Sequence, residues 1–455
     1  MLYSHNLRAL ILVGTALISA AAADEANAGA FGIREQSTYF AGDAYAGSAA
    51  GGDISSMYWN PAATATLTGF NSSSSYTGIL ATSNEHATGG VFVTPLTPTS
   101  TDVGTDAIVP ASYLTYQYND RLYLGLALNA PFGLVTKPDN TWSGSPIATT
   151  TRVFSIDANP TVAYKLTPEW TVGAGLQVEY LETRLDRGAL YEPLPPLGLL
   201  TPVTPSRSSK FDDWGVGATA GVLWQPLPGT SLGVGYRSAV TVDVSGLYTN
   251  GAFFNTATLT PVAGFGVNGT ASITLPDEVT FSVRQAVTQQ LTLLGTVEWD
   301  DWSRLGNVNV TNPFCSGGVC ETLNLNYRDG WFFSVGAEYA YNPLLTFRAG
   351  VGYEISPITD SIRDILLPDS NRVHLNIGAT YKWSDKLSLI AAYSHIFFES
   401  APFCEASPQT GSTHCTAFTP PSAVLLTGSA DTSVDIVSLG VNYKISGPEP
   451  LEPLK

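Results

Sequence analysis

The sequence predicts an all-β protein, a transmembrane antiparallel β-barrel of about fourteen strands whose lumen is plugged by an N-terminal segment. Three observations carry that prediction. Alternating apolar and polar residues recur in short stretches down the chain, charged residues are scarce, and no stretch of the mature chain stays apolar for the roughly 18 residues a membrane helix needs. The clearest alternation is residues 372–383. Val373, Leu375, Ile377, Ala379, Tyr381 and Trp383 share one face, and Arg372, His374, Asn376, Gly378, Thr380 and Lys382 share the other, because successive strand side chains point to opposite faces. Two aromatics close the apolar face, as suits the boundary between hydrocarbon and water.

Composition points the same way. The 455 residues include 43 Gly, 21 Tyr, 19 Phe and 9 Trp, and only 13% are charged, against about 25% in soluble domains. Many apolar residues without an apolar run fit strands that face lipid on alternate positions. The formal net charge of −17 argues against a nucleic-acid partner and places the acid in external loops and an aqueous lumen.

Residues 1–28 read as a secretory signal: Arg8 supplies the positive region, residues 9–18 the apolar core, and Ala26-Asn27-Ala28 a small-residue cleavage site. Export followed by barrel strands implies a bacterial outer membrane. Residues 29–66 do not alternate; small residues dominate, with Asp43 and Asp53 among them. This segment is expected to be a hatch, because a barrel of this size otherwise leaves an open channel.

Residues 67–445 form the expected barrel. Leu122, Leu124, Leu126 and Leu128 alternate, as do Val172, Ala174, Leu176, Val178 and Tyr180, and later Val437, Leu439, Val441, Tyr443 and Ile445. Short connections at 119–120, 166–169, 226–229, 287–290, 341–343 and 384–386 alternate with longer ones rich in Pro, Gly and Thr. Six short turns and seven long connections make fourteen strands, with both termini on the short-turn, periplasmic side. Residues 446–455 are a Pro-rich tail.

The cysteines form two local pairs, Cys315/Cys320 and Cys404/Cys415, outside the strand-like segments and in a compartment that permits oxidation. Four cysteines allow three pairings, of which two local bridges are the simplest. Cys315-x4-Cys320 has no nearby His, and His414 stands alone beside Cys415, so no metal site is expected. No nucleophile elbow, His-Glu-x-x-His or phosphate-binding glycine loop occurs, so neither catalysis nor a cofactor is expected.

Several short motifs recur in a characteristic order: Phe31 to Ser37 including Glu35, Gly42-Asp43-Ala44-Tyr45-Ala46-Gly47, Asn60-Pro61-Ala62, Pro131-Phe132-Gly133, Asn159-Pro160 with Ala163-Tyr164-Lys165, Trp302-Ser303, and Leu367-Pro368-Asp369-Ser370. Together they resemble the FadL family (OMPP1/FadL/TodX), the outer-membrane long-chain fatty-acid and hydrocarbon transporters that include the toluene-uptake proteins. The resemblance covers essentially the whole mature chain. It implies a fourteen-stranded barrel whose hatch contains Phe31, Glu35, Asn60, Pro61 and Ala62. It also implies passive uptake of long-chain fatty acids or other hydrophobic compounds. Aromatic or aliphatic hydrocarbon uptake, or a nonspecific porin or structural barrel, are the alternatives. Implied partners are the hydrophobic ligand, outer-membrane lipid and lipopolysaccharide, with the chain acting as a monomer. One departure stands out: the family commonly ends on an aromatic residue, whereas here Ile445 precedes the tail.

The ligand route is expected where alternation fails. One apolar connection carries Leu194, Leu197 and Leu200, and another carries Phe253, Phe254 and Phe265. Exposed apolar patches are commonly binding surfaces, and the resemblance implies an outer capture groove there. Arg187 matches a basic position that the family places near its inner ligand site. The second such position falls near Leu323, with Arg328 the nearest cation. Pro131 and Pro160 are expected to interrupt neighbouring strands. Pro131-Phe132-Gly133 fits the family's kinked wall, a lateral gate into the membrane.

Overall fold

Fourteen strands form one closed antiparallel sheet in the computed structural model. The structure describes residues 30–95, 97–189, 191–194, 199–202, 205–255, 260–407 and 423–446. The expected signal segment 1–28 and the tail beyond Ser446 lie outside the described residues. The strands are β1 (Phe70–Gly89), β2 (Ala107–Gln117), β3 (Leu122–Asn129 continued by Gly133–Thr136), β4 (Thr150–Lys165) and β5 (Trp170–Arg187). Next come β6 (Arg207–Leu227), β7 (Thr230–Arg237 continued by Val240–Asn250), β8 (Phe265–Leu275 continued by Glu278–Ala286) and β9 (Leu291–Asp300). β10 (Gly330–Asn342), β11 (Leu345–Ile355), β12 (Arg372–Lys382), β13 (Leu387–Phe398) and β14 (Ala423–Ser446) complete the set.

Each strand pairs with its sequence neighbours, and β14 returns to β1 in a ladder running from Phe70↔Ser446 to Gly89↔Thr427. Closure joins the two ends of the sheet, so neither β1 nor β14 is left as an open edge, which is what lets a sheet span a membrane. The alternation legible in the sequence maps onto the two faces. Leu375 is 45% and Ile377 60% exposed on the outside of β12, while Arg372, His374 and Asn376 point inward and are buried. Exposed aromatics gather near the short-turn rim, where Trp170 and Trp224 stack at 5.2 Å and where Tyr164 and, further round the barrel, Trp383 are also exposed. A second set, including Trp214, Trp331 and Phe333, lies toward the opposite rim, as aromatic girdles do.

Three strands are broken: β3 at 130–132, β7 at Ser238-Ala239 and β8 at Pro276-Asp277. The β7 and β8 breaks adjoin, and one side chain joins them: Asp277 Oδ1 accepts from Ala239 N at 2.9 Å and from the Tyr236 hydroxyl at 2.5 Å. Pro160 corrects the sequence reading. It sits inside an uninterrupted β4, facing outward, and pairs with Leu126 of β3; only the ladder to β5 skips it. Losing one N–H removes one side's ladder bond and leaves the other side intact.

Residues 30–66 are almost wholly buried against the inner wall. They fold into α1 (Thr38–Ala41) and 3-10 turns at Ser48–Ala50, Ile54–Met57 and Pro61–Ala65, each too short to be stable alone. Side-chain caps start three of the four. Ser37 Oγ accepts from Phe40 N, Asp53 from Ser55 N, and Asn60 from Ala62 N, with Pro61 at the first helical position. Wall side chains meet further backbone groups: Asn376 Nδ2 donates to Ala41 O (2.6 Å), and Thr296 Oγ1 and Ser282 Oγ accept from Gly47 N (2.8 Å) and Ala49 N (3.0 Å). Asn60 does double duty, its amide also donating to Ala49 O and Val222 O.

Candidate ligand cavity and kinked wall

Most inward positions of the barrel are polar, but above residues 30–66 the pattern changes. Phe211 of β6, Val244 of β7 and Ala271 and Ile273 of β8 point inward and are buried. The 301–329 connection folds in against them as a hairpin, Asn307–Thr311 with Val319–Asn324. The 356–371 connection adds Leu366 and Leu367. Between these elements lies an apolar cavity of about 110 Å³, also lined by Leu134, Leu323 and Tyr327.

Phe31 lines the cavity floor and packs on two rings beneath it. It meets Trp302 edge-on at 4.8 Å and Phe132 at 6.1 Å, and Trp302 meets Phe132 at 6.0 Å. Beneath these rings a smaller space of about 30 Å³ is lined by Arg34, Glu278, Glu298, Asp300 and Glu354. Arg34 is ion-paired there to Glu298 and, at 3.4 Å, to Glu354, and covers the Phe332 ring at 3.9 Å. An apolar compartment thus gives way inward to a charged one, where a hydrocarbon chain loses about 0.8 kcal/mol of burial per CH2.

The wall beside Phe31 is irregular for an identifiable reason. Pairing of β3 with β2 ends at Ser112↔Leu128, and contact between the two sides resumes at Lys137 N, which donates to Val103 O at 3.1 Å. Between these points β3 turns to residues 31–36 instead. Ile33 N donates to Pro131 O (2.7 Å), Gly133 N donates to Phe31 O (2.8 Å), and Gly32 and Phe132 form a bridge pair. The Gln36 amide completes the exchange: Nε2 donates to Ala130 O (2.7 Å), and Oε1 accepts from Ala130 N (3.3 Å) and Asn129 Nδ2 (3.2 Å). On the far side β4 keeps its hold, with Phe132 N donating to Ser155 Oγ and Ser155 N to Phe132 O. The lumen beside the kink is apolar, formed by Ile33, Ala130, Ala107, Val109, Ile79 and Val434.

The other residues singled out in the sequence fall in different places. Arg187 and Glu321 are buried together, Nη2 lying 2.9 Å from Oε1, with Glu321 and Leu323 on the cavity wall. Arg328 corrects the expectation of a nearby ligand cation. It lies outside the cavity lining, its guanidinium donating to Ser356 O at 3.1 and 3.2 Å and its own N–H to Pro357 O, so it staples the turn after β11. Leu194 and Leu200 lie in a short hairpin, Tyr191–Leu194 with Leu199–Pro202, that touches the Phe253–Asn255 strand; Leu197 lies outside the described residues. Phe253 and Phe254 are half-buried and pair with Thr260–Val262. Phe265 opens β8 and is 42% exposed, so it belongs to the strand and not to the loop. Cys315 and Cys320 form a disulfide at the tip of the inserted hairpin. Cys415, the expected partner of Cys404, lies outside the described residues. Two residues gain their roles only through folding: Gln36, which lies within the Phe31–Ser37 motif but is not singled out there, and Glu321, which lies in no pattern.

A closed fourteen-stranded barrel with an apolar, aromatic-rimmed exterior is an integral protein of the bacterial outer membrane. The chain belongs to the outer membrane protein transport protein family (OMPP1/FadL/TodX), whose model matches residues 19–445. Outer membrane protein P1 of Haemophilus influenzae is 28% identical over 430 residues, covering 87% of this chain and 91% of that protein. The long-chain fatty acid transport protein of Escherichia coli O6:H1 is 25% identical over 423 residues, covering 88% and 92%. Among solved structures, a Pseudomonas aeruginosa FadL homologue superposes with a TM-score of 0.78 at 21% identity, covering 92% of this chain and all of that one. The P. putida toluene transporter TodX gives 0.64 at 16% identity, covering 87% and 95%. Both likenesses speak to fold.

Proposed function

We propose that the protein takes up hydrophobic compounds passively, long-chain fatty acids or hydrocarbons among them, and releases them sideways through the kink in β3. Ligand is captured on the touching apolar hairpins after β5 and β7, passes into the cavity above Phe31, and leaves between β2 and β3 into the membrane. Residues 30–66 act as the hatch that denies it a route to the periplasm. The names of the relatives, a long-chain fatty acid transport protein and a toluene transporter, support the ligand class.

One observation carries the reading: at the floor of the apolar cavity, the broken ladder of β3 is completed by hatch residues and not by β2. Backbone bonds to a segment that is not itself part of the sheet can open without tearing the barrel, whereas a strand ladder cannot. A cysteine pair at Gly32 and Phe132, bridge partners whose spacing suits a disulfide, locks this contact. Oxidised Gly32→Cys/Phe132→Cys protein is expected to lose uptake of a labelled hydrophobic ligand in whole cells while still binding it, and to regain uptake on reduction. Normal uptake by the oxidised form rejects the lateral route.

A further inference from the structure

Building on that reading of the cavity as the ligand site, we propose that Glu321 makes it select uncharged hydrophobic molecules, such as long-chain alcohols or hydrocarbons, over carboxylates. Two charged residues line the cavity, Arg184 and Glu321. Arg184 is engaged elsewhere: its guanidinium lies 2.7 Å from Asp186, on the exposed face of β5. The charge presented to a ligand is therefore the Glu321 carboxylate, only 5% exposed and ion-paired behind to Arg187. Arg187 itself is absent from the lining, because Glu321 stands between it and the cavity.

A carboxylate entering this space has two options, both costly. It can lie against Glu321, a like charge in a poorly hydrated site. Otherwise it can displace Glu321 from Arg187, which leaves a buried carboxylate without its partner. Arg187 is already committed to Glu321, the carboxylate 2.9 Å from its Nη2. Leu323, two residues along the same inserted strand, also lines the cavity and is apolar. An alcohol pays neither cost and can donate its hydroxyl to Glu321. Arg207 is the other cation nearby. It sits opposite Arg187 in the β5–β6 register and forms no ion pair among the described residues, but it does not line the cavity.

The test compares dodecanoate with 1-dodecanol, binding to the full-length purified barrel at about pH 8, where the fatty acid is ionised. The wild type is expected to favour the alcohol by about tenfold or more. Glu321→Gln frees Arg187 without changing shape, and should raise dodecanoate affinity about tenfold, while the alcohol, left with only a neutral acceptor there, gains nothing. Leu323→Lys, which leaves the ion pair intact, should also raise dodecanoate affinity, and adding Arg187→Gln to Glu321→Gln should erase the gain. Equal binding of both ligands by the wild type, or no response to Glu321→Gln and Leu323→Lys, overturns the selection and leaves the uptake reading standing. Wild-type dodecanoate binding that collapses on Arg207→Gln assigns head-group recognition to Arg207 and also overturns it. Binding of neither ligand to any form removes the cavity as the ligand site, and both readings with it.

Discussion

Asp364 holds the mouth of the cavity in place. Its Oδ1 accepts from Leu366 N at 2.9 Å, and Leu366 and the next residue, Leu367, both line the cavity. Burial pushes its carboxyl from 3.8 up to about 6 despite the Leu366 and Leu367 amides and the Arg187 charge, which favour ionisation. Glu85, Glu405 and Tyr327 face the same region. An acid whose folded value is raised stabilises the folded form at low pH and loses that contribution as pH rises through the folded value. The 356–371 connection should therefore tighten as pH falls from about 7 to about 5. Amide protection factors at Leu366 and Leu367, corrected for intrinsic exchange, are expected to be roughly tenfold higher at about pH 5 than at about pH 8. Asp364→Asn should flatten the difference, and equal protection at both pH values in the wild type refutes it.

At the scale of the element, the kink in β3 depends on one amide. Gln36 is fully buried and makes four contacts around Ala130: to Ala130 O, Ala130 N, Asn129 Nδ2 and Ile33 O. Gln36→Leu keeps the volume but strands buried backbone groups, at about 1–3 kcal/mol. Exchange at Ile33 and Gly133 should accelerate about tenfold, while Ala49, held by Ser282 across the lumen, should not change. Unaltered exchange at Ile33 removes Gln36 from the latch. The Phe31–Ser37 motif contains Gln36 but does not reveal its role, because three of its four partners lie in another element. The strands are the opposite case. A period of two is written locally, so residues 372–383 could be assigned to two faces without knowing what they pair with, and counting the turns fixed the barrel. Pro160 and Arg328 misled because a residue type was read as a local event. One outward proline is absorbed by a strand that keeps its other ladder, and one arginine near the right sequence position spends its donors on Ser356. The Arg187–Glu321 pair joins β5 to an inserted hairpin, and no periodicity encodes it.

For the whole molecule, the barrel and the chain inside it fit through missing side chains. An ideal Cβ on Gly233 would fall 1.8 Å from Ala49 O, and one on Gly235 would fall 1.7 Å from Trp59 O. β7 therefore meets residues 49–59 backbone to backbone, closer than any other residue permits. The barrel does not need this contact, since its ring is closed by the β1–β14 ladder on the far side. Gly235→Val should accordingly push the inner segment off the wall while β7 stays paired to β6 and β8, a position where valine favours the strand. Liposome swelling separates the outcomes. The wild type is expected to exclude a small sugar such as arabinose, whereas the Gly235→Val barrel admits it and still shows the heat-modifiable gel mobility of a folded barrel. A folded variant that remains sugar-tight means that the lumen is sealed by something other than the close seat of residues 49–59 on β7.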